Sequence, residues 1–142
     1  MKHRGAMLRI KLRCGAAPLL TAAGSRAGVP REQRTCRICG GVDLETPEHF
    51  VSRCPAYAAE REGCIGRLRV LLAGHAGPML QGALDTASVS LFLGDGLVRD
   101  LPADVARVAD ATICNFLKVA WRKRAPIWKN LCRDDDEWQF IF

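Results

Sequence analysis

The sequence predicts a mainly α-helical single domain in which helices surround a small zinc-knuckle hairpin, and three observations predict it. At 142 residues the chain has room for one real core. Aromatics make up only 6%, and Leu, Val, Ala and Arg dominate, a mix that suits helices better than a sandwich or barrel. Cys36, Cys39, His49 and Cys54 follow the order C-x2-C-x9-H-x4-C, four soft ligands close together in a chain with three histidines. The chain divides into a basic segment, 1–35, a Cys/His module, 36–62, and a helical part, 63–142.

Taken in order, residues 8–14 alternate Leu8, Ile10, Leu12 and Cys14 with Arg9, Lys11 and Arg13. That period of two reads as a strand with a basic face. Gly15 and Pro18 stop it, and Leu19 to Ala23 can form a helical turn. A loop with Gly24, Gly28 and Pro30 carries Arg26, Arg31 and Arg34 towards the cysteines. The run Cys36-Arg37-Ile38-Cys39-Gly40-Gly41 has the form of a knuckle, whose glycines let the backbone take positive φ while its N–H groups face the thiolates. Thr46 and Pro47 form an N-cap and first helical residue, with Glu48 in the first turn. Pro55 disfavours helix at Cys54, so the spacing places Cys54 at a helix break.

From Ala56 to Ala73 the apolar Tyr57, Cys64, Ile65, Leu68, Leu71 and Leu72 recur at helical spacing, although Gly63 and Gly66 weaken that helix. Residues 74–86 are a Gly/Pro-broken connector with one turn near Met79. Residues 88–93 are a short apolar element stopped at Gly94-Asp95-Gly96. A long helix starts near Pro102, with Asp100 as its cap. Its apolar stripe is Val105, Val108, Ala109, Ile113, Phe116, Leu117 and Ala120, and Pro126 ends or kinks it.

Thiolate and imidazole suit the borderline-soft, tetrahedral zinc ion. Four protein ligands close the coordination sphere, so one Zn(2+) at Cys36, Cys39, His49 and Cys54 is expected to be structural rather than catalytic. Cys64 is an alternative fourth ligand, though its spacing fits a helix core. Cys14, Cys114 and Cys132 lack partner spacing and read as small apolar residues. The acidic run Asp134-Asp135-Asp136-Glu137 reads as a solvated tail. No nucleophile–base pair, phosphate-cradling glycine loop or small-molecule site is recognisable, so catalysis has no positive support.

Seven cysteines, an odd count separated by long helix-like stretches, argue against a secreted disulfide scaffold and for an intracellular setting, nucleus or cytoplasm. The longest apolar candidate, residues 70–84, is broken by Gly74, His75, Gly77, Pro78 and Gly82, so no membrane span is expected. The Arg-rich start shares its composition with transit peptides. The formal net charge is +6 and unevenly spread. Residues 1–37 hold nine Lys/Arg against one acid, whereas residues 38–62 hold five acids against two arginines. The basic segment therefore reads as a contact for RNA or DNA phosphates through Arg9, Lys11, Arg13, Arg26, Arg31, Arg34 and Arg37.

Leu12-Arg13-Cys14-Gly15-Ala16-Ala17-Pro18-Leu19, the Cys36/Cys39/His49/Cys54 set, Glu45-Thr46-Pro47-Glu48-His49-Phe50 and Cys54-Pro55-Ala56-Tyr57 occur together in this chain. Over about residues 8–62 the chain resembles the CCHC zinc-binding module that follows the polymerase domain in reverse transcriptases of non-LTR (LINE-type) retrotransposons. The resemblance implies a module that helps such an enzyme hold its RNA template or target DNA. It implies a reverse-transcriptase core as a second partner, a phosphate contact at Arg13, and a helix rather than a strand at 8–14. The family's polymerase palm, paired-aspartate motif and endonuclease are not in this sequence, so the chain is expected to be non-catalytic. The alternatives are a protein-docking module that packs the 105–120 stripe on a polymerase core, and a retroelement remnant without independent function.

Overall fold

Leu, Ala and Arg lose little rotamer freedom in a helix, and helices dominate the structure. It is a computed structural model that describes residues 4–94 and 99–131, the last six by backbone alone. Among these residues the order is α1 (Arg4–Arg13), α2 (Leu20–Arg26), a 3-10 turn (Arg31–Gln33), a π turn (His49–Arg53), a second 3-10 turn (Pro55–Tyr57), α3 (Ala58–Leu71), α4 (Pro78–Asp85), α5 (Val89–Leu93) and α6 (Ala103–Leu131). The mainly α class is as the composition predicts. The β-structure among the described residues is an isolated antiparallel bridge between Thr35 and Leu44, at the base of the knuckle hairpin.

The axis of the fold is α6, 29 residues long, with α1 packed on one side and α3 on the other. Ala109, Ile113, Phe116, Leu117, Ala120 and Trp121 lie on its buried face at 6% exposure or less. The stripe expected to await a docking partner is thus largely covered by the chain's own helices; Val108, 48% exposed, lies at its margin. A Cβ on Gly5 would collide with the carbonyl of Cys114, so α1 and α6 approach backbone to backbone there. The long helix also carries through Pro126 to Leu131, so of the expected end or kink at Pro126 the end does not occur.

Residues 4–13 form α1, the helix that the resemblance implies at 8–14 in place of the strand that the alternation alone suggests. Its buried residues are Gly5, Leu8, Arg9 and Leu12, spaced i, i+3, i+4 and i+7, whereas Ile10 is 51% exposed and Cys14 is exposed. The alternation misled because the buried Arg9 is a member of the apolar face. Arg9 forms an ion pair with Asp110 of α6 and donates to the Gly94 carbonyl at 2.7 Å. Arg13 Nε donates to the Leu93 carbonyl. Both cations therefore bind carbonyls at the C-terminal end of α5, where helix carbonyls lack intrahelical partners.

The turn expected near Met79 in the 74–86 connector is the eight-residue helix α4. Pro78 occupies the first turn of α4, and Ser88 Oγ caps α5 by accepting from Leu91 N at 3.3 Å. One core cluster runs from Leu8 through Cys36, Phe50, Cys54 and Tyr57 to Trp121, so the Cys/His segment and the helices share an interior. Cys132, the acidic run at 134–137 and the Asp95-Gly96 part of the stop after α5 lie outside the described residues.

Candidate metal centre

The first two cysteines sit on a tight turn at the end of the hairpin. Its base is closed by Cys36 N donating to the Asp43 carbonyl at 2.8 Å and Glu45 N to the Arg34 carbonyl at 3.0 Å. Gly40 takes φ +67°, the left-handed conformation expected of the knuckle, and a Cβ on Gly41 would lie 3.3 Å from Cys39 Sγ. The other two ligand candidates come from the following helical turn. Thr46 Oγ1 accepts from His49 N at 3.0 Å, the N-cap that the Thr-Pro sequence predicts.

His49 opens the π turn, which closes with Cys54 N donating to the His49 carbonyl at 2.7 Å. In an α-helix with 3.6 residues per turn, a residue five positions on points about 140° away from the first. The wider i→i+5 turn brings it most of the way back. Cys54 then leaves the helix with ψ 119°, the extended geometry that a following proline favours. This turn is what lets a C-terminal x4 spacing place His and Cys on one side.

The result is a cluster in which Cys36 Sγ, Cys39 Sγ, a ring nitrogen of His49 and Cys54 Sγ all lie within 4.8 Å of one another. Cys36 and Cys54 sulfurs are 4.0 Å apart, and Cys39 Sγ is 3.5 Å from His49 Nε2. A tetrahedral ion with metal–sulfur bonds of about 2.3 Å and a metal–nitrogen bond of about 2.0 Å has edges of about 3.8 Å and 3.5 Å. The donor set fits a metal ion in both chemistry and dimensions. Three of the four residues are buried and Cys39 is half-buried.

The electrostatics favour thiolate. The Cys36 thiol is held well below the usual thiol range, first by its hydrogen bond with Cys54 and then, against the effect of burial, by the backbone N–H groups of Cys39 and Ile38. Cys54 is pushed up by the same bond to Cys36 and by burial. The two sulfurs titrate as a pair, and a bound cation would displace the proton they share. Arg61, 9% exposed, donates to the Cys54 carbonyl at 3.2 Å and sets a cation beside the sulfurs.

Cys64 is not part of this cluster. Its thiol is fully buried, lies 3.8 Å from the Thr112 carbonyl of α6, and is pushed up to about 12 by burial. The cluster therefore has His49, and not Cys64, as its fourth member.

Composition gave no sign of the pair that fastens the module to the helices. Glu45, 1% exposed, accepts from Arg124 Nε at 2.7 Å and from the terminal Nη2 of Arg124 at 2.9 Å. Its carboxylate also accepts from Leu20 N at 2.6 Å, which caps α2 from a distance. Arg124 donates further to the Pro18 carbonyl at 3.1 Å and stacks 4.9 Å from the Trp121 ring. Phe50 meets Tyr57 and Trp121 edge-on, with centroids 5.0 and 5.7 Å away. These contacts hold the turn that carries His49 against the last part of α6.

The seven basic candidates fall into different settings. Arg9 is buried in its ion pair and lies inside the fold, which corrects the expectation that it meets phosphate. Arg34 is half-buried, donating to the Val29 and Thr21 carbonyls and packing its stem on Gly24. Arg13 is exposed but anchored by Nε, and Lys11 is half-buried. Arg26, Arg31 and Arg37 are exposed, at the end of α2, in the first 3-10 turn and between the two knuckle cysteines. No helix among the described residues is long and apolar enough to cross a membrane. No family model, curated protein or solved structure matches the chain.

Proposed function

We propose that the chain is a non-catalytic, zinc-stabilised module that contacts RNA or DNA as an accessory part of a retroelement reverse transcriptase. The observation that carries the reading is the convergence of three sulfurs and one imidazole nitrogen on a space the size of a tetrahedral ion. Zinc is the favoured occupant because it takes thiolate and imidazole together in closed tetrahedral sites. With all four positions filled by protein, the ion would act by cross-linking the hairpin to the π turn, and its binding free energy would become folding free energy.

The nucleic-acid part of the reading rests on charge and placement. Arg26, Arg31 and Arg37 are exposed on the segment that leads into and through the knuckle. Their role would be phosphate neutralisation, which gives affinity with little sequence preference. The supporting sequence resemblance covers the same stretch.

The test is fluorescence anisotropy of the zinc-loaded chain with labelled single-stranded RNA and duplex DNA across a salt series. Binding should weaken steeply as salt rises. Replacing Arg26, Arg31 and Arg37 with Ala should flatten the log–log salt slope by about one for each phosphate no longer neutralised. No binding at low salt by protein with a full metal complement would overturn the nucleic-acid reading.

A further inference from the structure

We propose that Asp43 is a positioning residue for the metal centre: its carboxylate holds the Nδ1 side of the His49 ring and so turns Nε2 towards the three sulfurs. The inference rests on the metal reading above and deepens it.

His49 is 2% exposed, and its two ring nitrogens face different surroundings. Nε2 lies 3.5 Å from Cys39 Sγ, inside the ligand cluster. Nδ1 is buried and has no hydrogen-bond partner. Its carboxylate neighbour is Asp43, with Oδ2 at 3.5 Å. A buried ring N–H left unsatisfied costs about 1–3 kcal/mol, so closing this gap by a few tenths of an ångström is favourable. Asp43 is placed to do so. Its backbone carbonyl is pinned by Cys36 N at 2.8 Å, while its side chain is 65% exposed and has room to move. One residue thus ties the backbone of the first ligand and faces the ring of the third.

The chemistry gives that contact a purpose. An imidazole that binds a metal through one nitrogen must carry its proton on the other, and a carboxylate acceptor fixes both the tautomer and the ring plane. A Cys3His site around a divalent cation carries one net negative charge, so a further carboxylate beside it calls for a reason other than neutralisation. The unpartnered Nδ1 supplies that reason. Glu48 provides the contrast: it carries the same charge next to His49 in sequence, yet it pairs with Arg53 at 3.2 Å on the surface.

The experiment compares the full-length chain with Asp43→Ala, Asp43→Asn and Glu48→Gln. Zinc affinity is read by competition with a chromophoric chelator, and the His49 ring by nitrogen-15 NMR of the zinc-loaded protein. Asp43→Ala should weaken zinc binding roughly 10–100-fold and expose the Nδ1–H to rapid exchange. Asp43→Asn keeps a neutral acceptor and should recover the Nδ1–H signal with part of the affinity. Glu48→Gln should leave both unchanged. The proposal fails if Asp43→Ala binds zinc as the wild type does, if it loses no more than Glu48→Gln, or if His49 ligates through Nδ1. A wild-type chain that takes up no zinc would instead overturn the metal reading on which the proposal stands.

Discussion

Glu45 and Arg124 lie 79 residues apart in the chain and at 1% and 2% exposure in the fold, joined by two parallel hydrogen bonds. Removing one member would leave the other charge buried and unpaired. Glu45→Ala should therefore cost about 3–5 kcal/mol in urea denaturation of the metal-loaded protein. A cost within the range of a surface ion pair, below about 1 kcal/mol, would show that water reaches the pair. Nothing local in the sequence reports it: Glu45 reads as one acid of an acidic stretch, and Arg124 as a cation suited to a helix C-terminus. The thiols divide similarly by environment. Cys64, pushed up to about 12 by burial, stays protonated at pH 8, whereas Cys14 is exposed. Because the thiolate is the reactive form, brief alkylation of native protein at pH 8 should modify Cys14 and spare Cys64, as peptide mapping can read. The cysteine types and their spacing made the Cys3His cluster legible; the placement of Asp43 was not, because nothing in a hairpin's sequence says which acid faces the ring.

At the scale of elements, the punctuation residues were the readable part. Thr46 and Pro47 start the turn that carries His49, Pro55 stops it at Cys54, and Gly40 takes the left-handed φ. The π turn was not readable, since it is an adjustment that no short pattern encodes, and without it the two ligands would diverge. In residues 8–14 the alternation alone misled, for a different reason, and the resemblance pointed to the helix that is found. Their alternation is real, but tertiary pairing draws Arg9 into the interior and makes the helical face Gly5, Leu8, Arg9 and Leu12. The same interface makes a sharp prediction. Gly5→Ala places a methyl group against the Cys114 carbonyl and should destabilise the fold by about 1–3 kcal/mol, with a lower denaturation midpoint. A neutral result would mean that α1 can move away from α6 at little cost.

For the whole molecule, a shared core makes the metal site and the helices interdependent. Cys36, Cys54 and Phe50 belong to the same buried cluster as Leu68 and Leu117, and the α6 stripe expected to seek a partner is largely covered by α1 and α3. Removal of a metal bound at this cluster should therefore loosen more than the hairpin. The helical class followed from composition, but the central place of α6 did not, because its long-range packing on α1 and α3 leaves no periodic trace beyond the stripe itself. The proposed function turns on one ion that Cys36, Cys39, His49 and Cys54 are placed to hold. The most direct measurement is elemental analysis of the purified chain beside Cys39→Ser. One zinc per wild-type chain and a much lower content in the mutant are expected; a metal-free wild type, or an unchanged zinc content in Cys39→Ser, would contradict that centre.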